Sequence, residues 1–201
     1  MKIIKINDSI LHLLFPNISD MCNHLLRFQE YYESPKFQNE IFTIGQFKKW
    51  YSDFYGIFDY YDIVEGMNIP SSVLKCFIEG WFDPLTENET KIIDLFGHRS
   101  TSFYIIATAE NSSSDIYDHE LLHALYGTNI HYKSSIDTLF KNYTLKDLEK
   151  YLYYLGYSKK VMLDECHAYI GACSEFLLRE GVKFPKELVI KIQLLKNEYL
   201  K

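Results

Sequence analysis

The residues most able to do chemistry in this sequence are two histidines with a glutamate between them, in the segment His119-Glu120-Leu121-Leu122-His123. Positions 119 and 123 are one helical turn apart, so both imidazoles project from one face of a helix and can bind one Zn²⁺. Glu120 is rotated by about 100° from His119, which can bring its carboxylate beside an open metal position. There the carboxylate can take a proton from a water whose pKa the metal lowers to about 7.

A third metal ligand must come from elsewhere in the chain. A catalytic zinc takes three protein ligands and keeps one position open. The sequence offers two candidates for the third ligand. Glu165 lies in the segment LDECHAY on a later predicted helix, and His131 lies in the predicted loop after the HELLH helix.

The HELLH segment is followed about forty residues later by the pattern E-x-x-A, which begins at Glu165 on a second predicted helix. In this order the two motifs resemble the gluzincin class of zinc metallopeptidases. The resemblance implies that His119, His123 and Glu165 hold one zinc ion and that Glu120 is the general base. It also implies that Ala168, one turn after Glu165, is a small residue that lets the two helices pack closely.

The resemblance covers roughly residues 102–175. It implies that the predicted strand at 102–109 is an edge strand, along which an extended substrate lies. The metzincin pattern HExxHxxGxxH fits less well, because Tyr126 stands in place of its glycine and Asn129 in place of its third histidine. Ligand spacing therefore favours Glu165 over His131 as the third ligand.

A peptidase also needs a donor that stabilises the oxyanion of the tetrahedral intermediate. Tyr169 lies four residues after Glu165 on the same helical face, and His131 follows the motif, so both are candidates for this role. Asp118 and Asp164 adjoin the predicted ligands but point away from their faces, which indicates capping or solvated carboxylates. Asp115 is expected to be the N-cap of the HELLH helix.

The elements that position these residues are mostly helices, so the predicted fold class is α+β. The fold is expected to be a helix-rich, minimal metallopeptidase-like fold with a small sheet, whose edge strand at about 102–109 precedes the HELLH helix. We expect one domain, residues 1–201, with an N-terminal lobe at about 1–100 and a zinc-binding catalytic lobe at about 101–201. The predicted helices cover residues 19–33, 44–55, 70–80, 86–96, 115–126, 144–155, 159–180 and 186–200; the predicted strands are 2–6 and 102–109; and residues 62–70 are predicted to form a loop.

Composition narrows the possible partners. The 201 residues carry a net charge of −6, and aromatic residues make up 16% of the chain, which argues against a disordered protein and against a nucleic-acid-binding one. The four cysteines contain no CxxC motif and are expected to be reduced, buried thiols. The N-terminus has no pattern of a secretory signal and no segment suits a membrane span, so a cytoplasmic location is expected.

The sequence thus predicts a zinc-dependent metallopeptidase that hydrolyses a specific protein or peptide substrate through a metal-activated water. The alternative is a non-catalytic binding or regulatory module on a metallopeptidase-like fold, although the intact Glu120 argues against an inactivated enzyme. Two histidines and a carboxylate are also the ligands of non-haem Fe(II) oxygenases. Those ligands usually lie on a β-rich scaffold, which this helix-rich sequence does not predict. The sequence does not determine the oligomeric state.

Overall fold

The computed structural model describes residues 1–200 and confirms an α+β fold with a small sheet. The chain divides into two compact units, Met1–Ser112 and Ser113–Lys201. The first unit contains β1 (Lys2–Lys5), β2 (Ile10–Phe15), α1 (Ile18–Glu33), α2 (Ile44–Tyr55), α3 (Tyr60–Ile63), β3 (Gly66–Pro70), α4 (Leu74–Ile78), α5 (Glu87–Phe96) and β4 (Tyr104–Ala109). The second unit contains α6 (Ser114–Thr128), α7 (Ile130–Phe140), α8 (Lys146–Tyr154), α9 (Met162–Ala172), α10 (Ser174–Arg179) and α11 (Glu187–Tyr199).

The sheet of the first unit has the strand order β1-β2-β4-β3. Strand β4 pairs in parallel with β2, with Leu13 opposite Ala107, and antiparallel with β3, with Ile69 opposite Ile105. The prediction that the strand at 102–109 is an edge strand is therefore wrong. All six residues of β4 are buried, as expected of an apolar strand with neighbours on both sides.

The core of the first unit is largely aromatic. Phe77 stacks between Phe28 and Phe82, with ring centroids 3.9 and 4.1 Å away. Beside these rings, Arg27 is buried and forms an ion pair with the buried carboxylate of Glu89, in which Arg27 Nε donates to Oε1 at 2.6 Å. Because both charges are removed from water, loss of either side chain would leave an uncompensated buried charge and destabilise the fold.

Several helix boundaries agree with the predicted ones. Helices α1 and α2 match the predicted segments 19–33 and 44–55, and α5 lies in the predicted segment 86–96, where Thr86 and Glu89 form a capping box at its start. Other predictions are wrong. Residues 66–70 of the predicted loop form strand β3, the long helix at 159–180 is interrupted at Cys173, and Ser113 rather than Asp115 is the N-cap of α6.

All secondary-structure elements described in the second unit are helices. Helix α6 buries six consecutive residues, Glu120–Leu125, so it is surrounded by protein rather than covered on one face. A methyl group on Gly171 of α9 would lie 2.6 Å from Leu122 Cδ1 of α6 and 2.7 Å from Ile192 Cγ2 of α11. Glycine at this position therefore lets α9 approach both neighbouring helices closely.

Two further properties follow from the described residues. All four cysteines are free, as predicted; Cys22, Cys76 and Cys166 are buried and Cys173 is partly buried. Among residues 1–200, no helix combines the length and the apolar character that crossing a membrane requires.

Candidate metal centre

Helix α6 presents His119 and His123 to one buried point in the second unit. They are one turn apart, and their Nε2 atoms lie 3.0 Å from each other. The His119 side chain is 12% exposed and that of His123 is 3% exposed. The spacing predicted this arrangement, and the burial of the surrounding helix shields both rings from bulk water.

Helix α9 brings Glu165 to the same point. Glu165 Oε2 lies 3.8 Å from His119 Nε2 and 3.6 Å from His123 Nε2, and the side chain is 6% exposed. Ala168, one turn later, is fully buried, which agrees with its predicted place in close helix packing. The three side chains form one potential metal-binding group, which we call the HHE triad (His119, His123 and Glu165).

The dimensions of the HHE triad fit a zinc ion. Ligand atoms at about 2.0–2.2 Å from a tetrahedral zinc lie roughly 3.3–3.6 Å from one another. Of the three interatomic distances here, 3.0 Å lies below that range, 3.6 Å at its upper end and 3.8 Å just above it. The triad therefore needs only small adjustments to hold zinc.

The polar atoms of the centre also fit a bound divalent cation. Glu165 Oε2 is buried and accepts no hydrogen bond from the described residues. Among residues 1–200, the ion-pair contacts of Glu165 and Asp164 are all with histidines. A buried carboxylate oxygen without a partner is destabilising, and a divalent cation held by the triad would remove that cost.

The carboxylates around the triad set the protonation of its histidines. Burial lowers the pKa of His119 well below its usual range, and the neighbouring His123 acts in the same direction. Burial also opposes the charged form of His123, but Asp164 and Glu165 together raise its pKa well above the usual range. Without metal, His123 is therefore the charged imidazolium of the pair, and zinc must displace the proton on its Nε2 because a ligating imidazole is neutral.

Asp164 contributes to the centre in a way that the sequence analysis missed. Its Oδ1 atom lies 3.0 Å from Nδ1 of His123, the ring nitrogen opposite the one that faces the triad. The prediction of a capping or solvated carboxylate is therefore wrong. Burial would raise the pKa of Asp164, but His123 and His167 hold it below its usual range, so the carboxylate is ionised. A carboxylate behind a ligating imidazole orients the ring and increases its basicity.

Asp118, the other carboxylate for which a capping or solvated role was expected, pairs with Lys196 instead. Lys196 Nζ on α11 donates to Asp118 Oδ2 at 2.9 Å, and Lys196 is buried. This contact joins α11 to α6, the helix that carries both histidines. Asp118 is thus a structural partner rather than part of the metal centre.

Glu120, the predicted general base, is a buried residue with 7% of its surface exposed. It adjoins His119 in α6 and is one of the consecutive buried residues of that helix. A buried carboxylate next to a metal ligand has the chemistry that proton transfer requires, because its proton affinity responds strongly to the charge of the centre.

Tyr169 reaches the centre as predicted from its position after Glu165. Its ring packs edge-on against His119, with centroids 4.8 Å apart, and its hydroxyl lies 3.3 Å from the hydroxyl of Tyr157. Burial raises the pKa of Tyr169 to about 12, so the phenol is protonated at neutral pH. Tyr157 was not identified from the sequence, since one tyrosine among seventeen gives no distinguishing signal.

The structure does not bring His131 into the HHE triad. His131 lies in the first turn of α7 rather than in a loop, its side chain is exposed, and its backbone N–H donates to Asn129 Oδ1 at 3.0 Å. A different residue, Cys173, approaches the other nitrogen of His119, with Sγ 3.7 Å from Nδ1. No sequence pattern distinguished this cysteine from the other three.

Comparisons of the chain with protein-family models, with curated proteins and with solved structures find no match. The geometry of the HHE triad is therefore the observation of the structure that bears on function.

Proposed function

We propose that this protein is a zinc-dependent metallopeptidase that cleaves a specific protein or peptide substrate. The observation that carries the proposal is the HHE triad, whose three ligand atoms converge in a buried site where Glu165 Oε2 and the neighbouring Asp164 Oδ1 have no hydrogen-bond partner. Two histidines and a glutamate are a ligand set of catalytic zinc, which keeps a further position open for water or substrate. The gluzincin resemblance supports peptide hydrolysis as the reaction.

When bound, zinc supplies a Lewis acid that polarises a carbonyl and lowers the pKa of a water to about 7. In the proposed reaction, Glu120 accepts a proton from the attacking water and delivers it to the nitrogen of the leaving amine. Tyr169 stays protonated at neutral pH, and its hydroxyl donates a hydrogen bond to the oxyanion that forms at the scissile carbonyl.

The substitution Glu120→Gln tests the proposal. It removes the proton acceptor without removing a zinc ligand, so zinc content should equal that of the wild type. Cleavage of a peptide library, followed by mass spectrometry, should slow by roughly 10²–10⁴-fold. Glu149→Gln, at an exposed site on α8, is the matched control and should cleave at the wild-type rate.

The outcomes separate the alternatives. Equal cleavage by Glu120→Gln and wild type would exclude the proposed mechanism. A wild-type protein that holds zinc but cleaves no peptide or protein would favour the non-catalytic binding or regulatory module. A triad that holds iron instead of zinc in the purified protein would favour the oxygenase chemistry.

A further inference from the structure

Behind the HHE triad lies a fully buried histidine that the proposed reaction does not use. His167 is on α9, two residues after Glu165, and neither its side chain nor that of Tyr132 on α7 is exposed to solvent. A buried imidazole needs partners for both ring nitrogens, because each unpaired polar atom in the interior costs free energy. One of the residues that contact His167 is Asp164, which also contacts His123 of the HHE triad.

The hydrogen bonds of His167 fix where its proton lies. Nδ1 is 2.9 Å from the backbone oxygen of Asp164, and a carbonyl oxygen only accepts, so Nδ1 carries the proton. The same Nδ1 is 3.2 Å from Asp164 Oδ1. With the proton on Nδ1, Nε2 is the acceptor, and the hydroxyl of Tyr132 donates to it over 3.1 Å. Tyr132 thus favours the form of His167 whose Nδ1 donates to the backbone oxygen of Asp164 and faces its carboxylate.

Asp164 also contacts His123, one of the predicted zinc ligands. Its Oδ1 lies 3.0 Å from His123 Nδ1, an ion-pair contact without hydrogen-bond geometry, while Nε2 of His123 faces Glu165. The Asp164 carboxylate favours a proton on His123 Nδ1, which leaves the Nε2 lone pair free for a metal. The protonation of the ligand therefore depends on Asp164, whose backbone oxygen accepts from His167 and whose Oδ1 lies 3.2 Å from the same His167 nitrogen.

We infer that His167 and Tyr132 are positioning residues that fix His123 for zinc binding. The inference rests on the metal-binding part of the proposed function and is independent of peptide hydrolysis. Outer-shell partners of this kind typically change metal affinity by 10–100-fold when they are removed. A purely structural role would instead change the stability of the metal-free protein and leave zinc affinity unaltered.

The test measures zinc affinity by competition with a chromophoric chelator. Tyr132→Phe removes one hydroxyl from a fully buried ring and should weaken zinc binding by roughly fivefold, the value of one net hydrogen bond. Tyr126→Phe is the matched control, because its hydroxyl donates to Asp137 at 2.6 Å and not to His167. This control should bind zinc as tightly as the wild type.

A second pair of variants tests His167 itself. His167→Phe should weaken zinc binding by roughly 10–100-fold, and adding Tyr132→Phe to it should have no further effect because the acceptor is already gone. His167→Asn retains an N–H near the position of Nδ1 and should recover much of the affinity. Full additivity of Tyr132→Phe and His167→Phe would overturn the inference, as would wild-type zinc affinity in Tyr132→Phe.

Nitrogen-15 NMR of the zinc-loaded wild type gives a readout that does not depend on any variant folding. The inference predicts that His123 binds zinc through Nε2 and is protonated at Nδ1, and that His167 is protonated at Nδ1. Zinc bound through Nδ1 of His123 would overturn it. A wild-type protein that binds no zinc would instead refute the proposed function, whereas zinc binding without peptide cleavage would leave the inference supported by the affinity data.

Discussion

Gly171→Ala provides a quantitative test of the helix packing that holds the metal centre together. The added methyl group would lie 2.6 Å from Leu122 Cδ1 and 2.7 Å from Ile192 Cγ2, on two different helices. Both separations are about 1 Å or more shorter than a favourable carbon–carbon contact. The end of Leu122 can rotate away, but β-branched Ile192 has little freedom, so α9 itself must move.

Overpacking of this kind costs about 1–3 kcal/mol of unfolding free energy. Because α9 also carries Glu165, its displacement should weaken zinc binding as well. Urea denaturation of the metal-free protein measures the first effect, and chelator competition measures the second. Gly45→Ala on α2 is the control, since the nearest atom to its added methyl group would be 3.9 Å away. Unchanged stability and zinc affinity in Gly171→Ala would refute the packing argument.

Three other predictions follow from the structure. Glu89→Gln leaves Arg27 buried without its counter-charge and should lower the unfolding free energy, measured by urea denaturation, by about 3–5 kcal/mol. The control Lys49→Ala, at an exposed ion pair, should lower it by no more than about 1 kcal/mol. Similar losses in both variants would contradict this. The pKa of His123 is raised well above its usual range in the metal-free centre, so zinc must displace one proton to bind. Zinc affinity should therefore increase by about tenfold for each unit of rising pH near neutrality, and calorimetry should detect the release of one proton. A zinc affinity independent of pH would contradict this. Tyr169→Phe should leave zinc affinity unchanged and reduce peptide cleavage by roughly 10²-fold, and wild-type cleavage would remove Tyr169 from the mechanism.

The grouping of the three side chains of the HHE triad could be predicted from the sequence in two steps. A spacing of four residues places His119 and His123 on one face of any regular helix, whereas Glu165 was expected from the resemblance of its E-x-x-A pattern to gluzincins. Asp164 was missed because it adjoins Glu165 and points to a different side of α9. Only the packing of α9 against α6, a tertiary relation, brings that side to His123.

The errors in the predicted fold have similar causes. Strand β2 was missed because His12 interrupts its apolar run; in the folded unit His12 Nε2 lies 2.8 Å from Thr108 Oγ1, which satisfies a buried polar group inside the sheet. The interior place of β4 depends on pairing with strands distant in sequence, which no local pattern encodes. Helix α7 had a readable signal, since Asn129 is an N-cap whose Oδ1 accepts from the backbone of Tyr132.

The central claim is that the HHE triad binds zinc, and elemental mass spectrometry of the purified protein tests it most directly. The structure predicts close to one zinc per chain in the wild type and in the control Glu149→Ala, and a large loss of zinc in Glu165→Ala, which lacks one ligand. No bound metal in the wild type after zinc is supplied, or undiminished zinc in Glu165→Ala, would contradict the account.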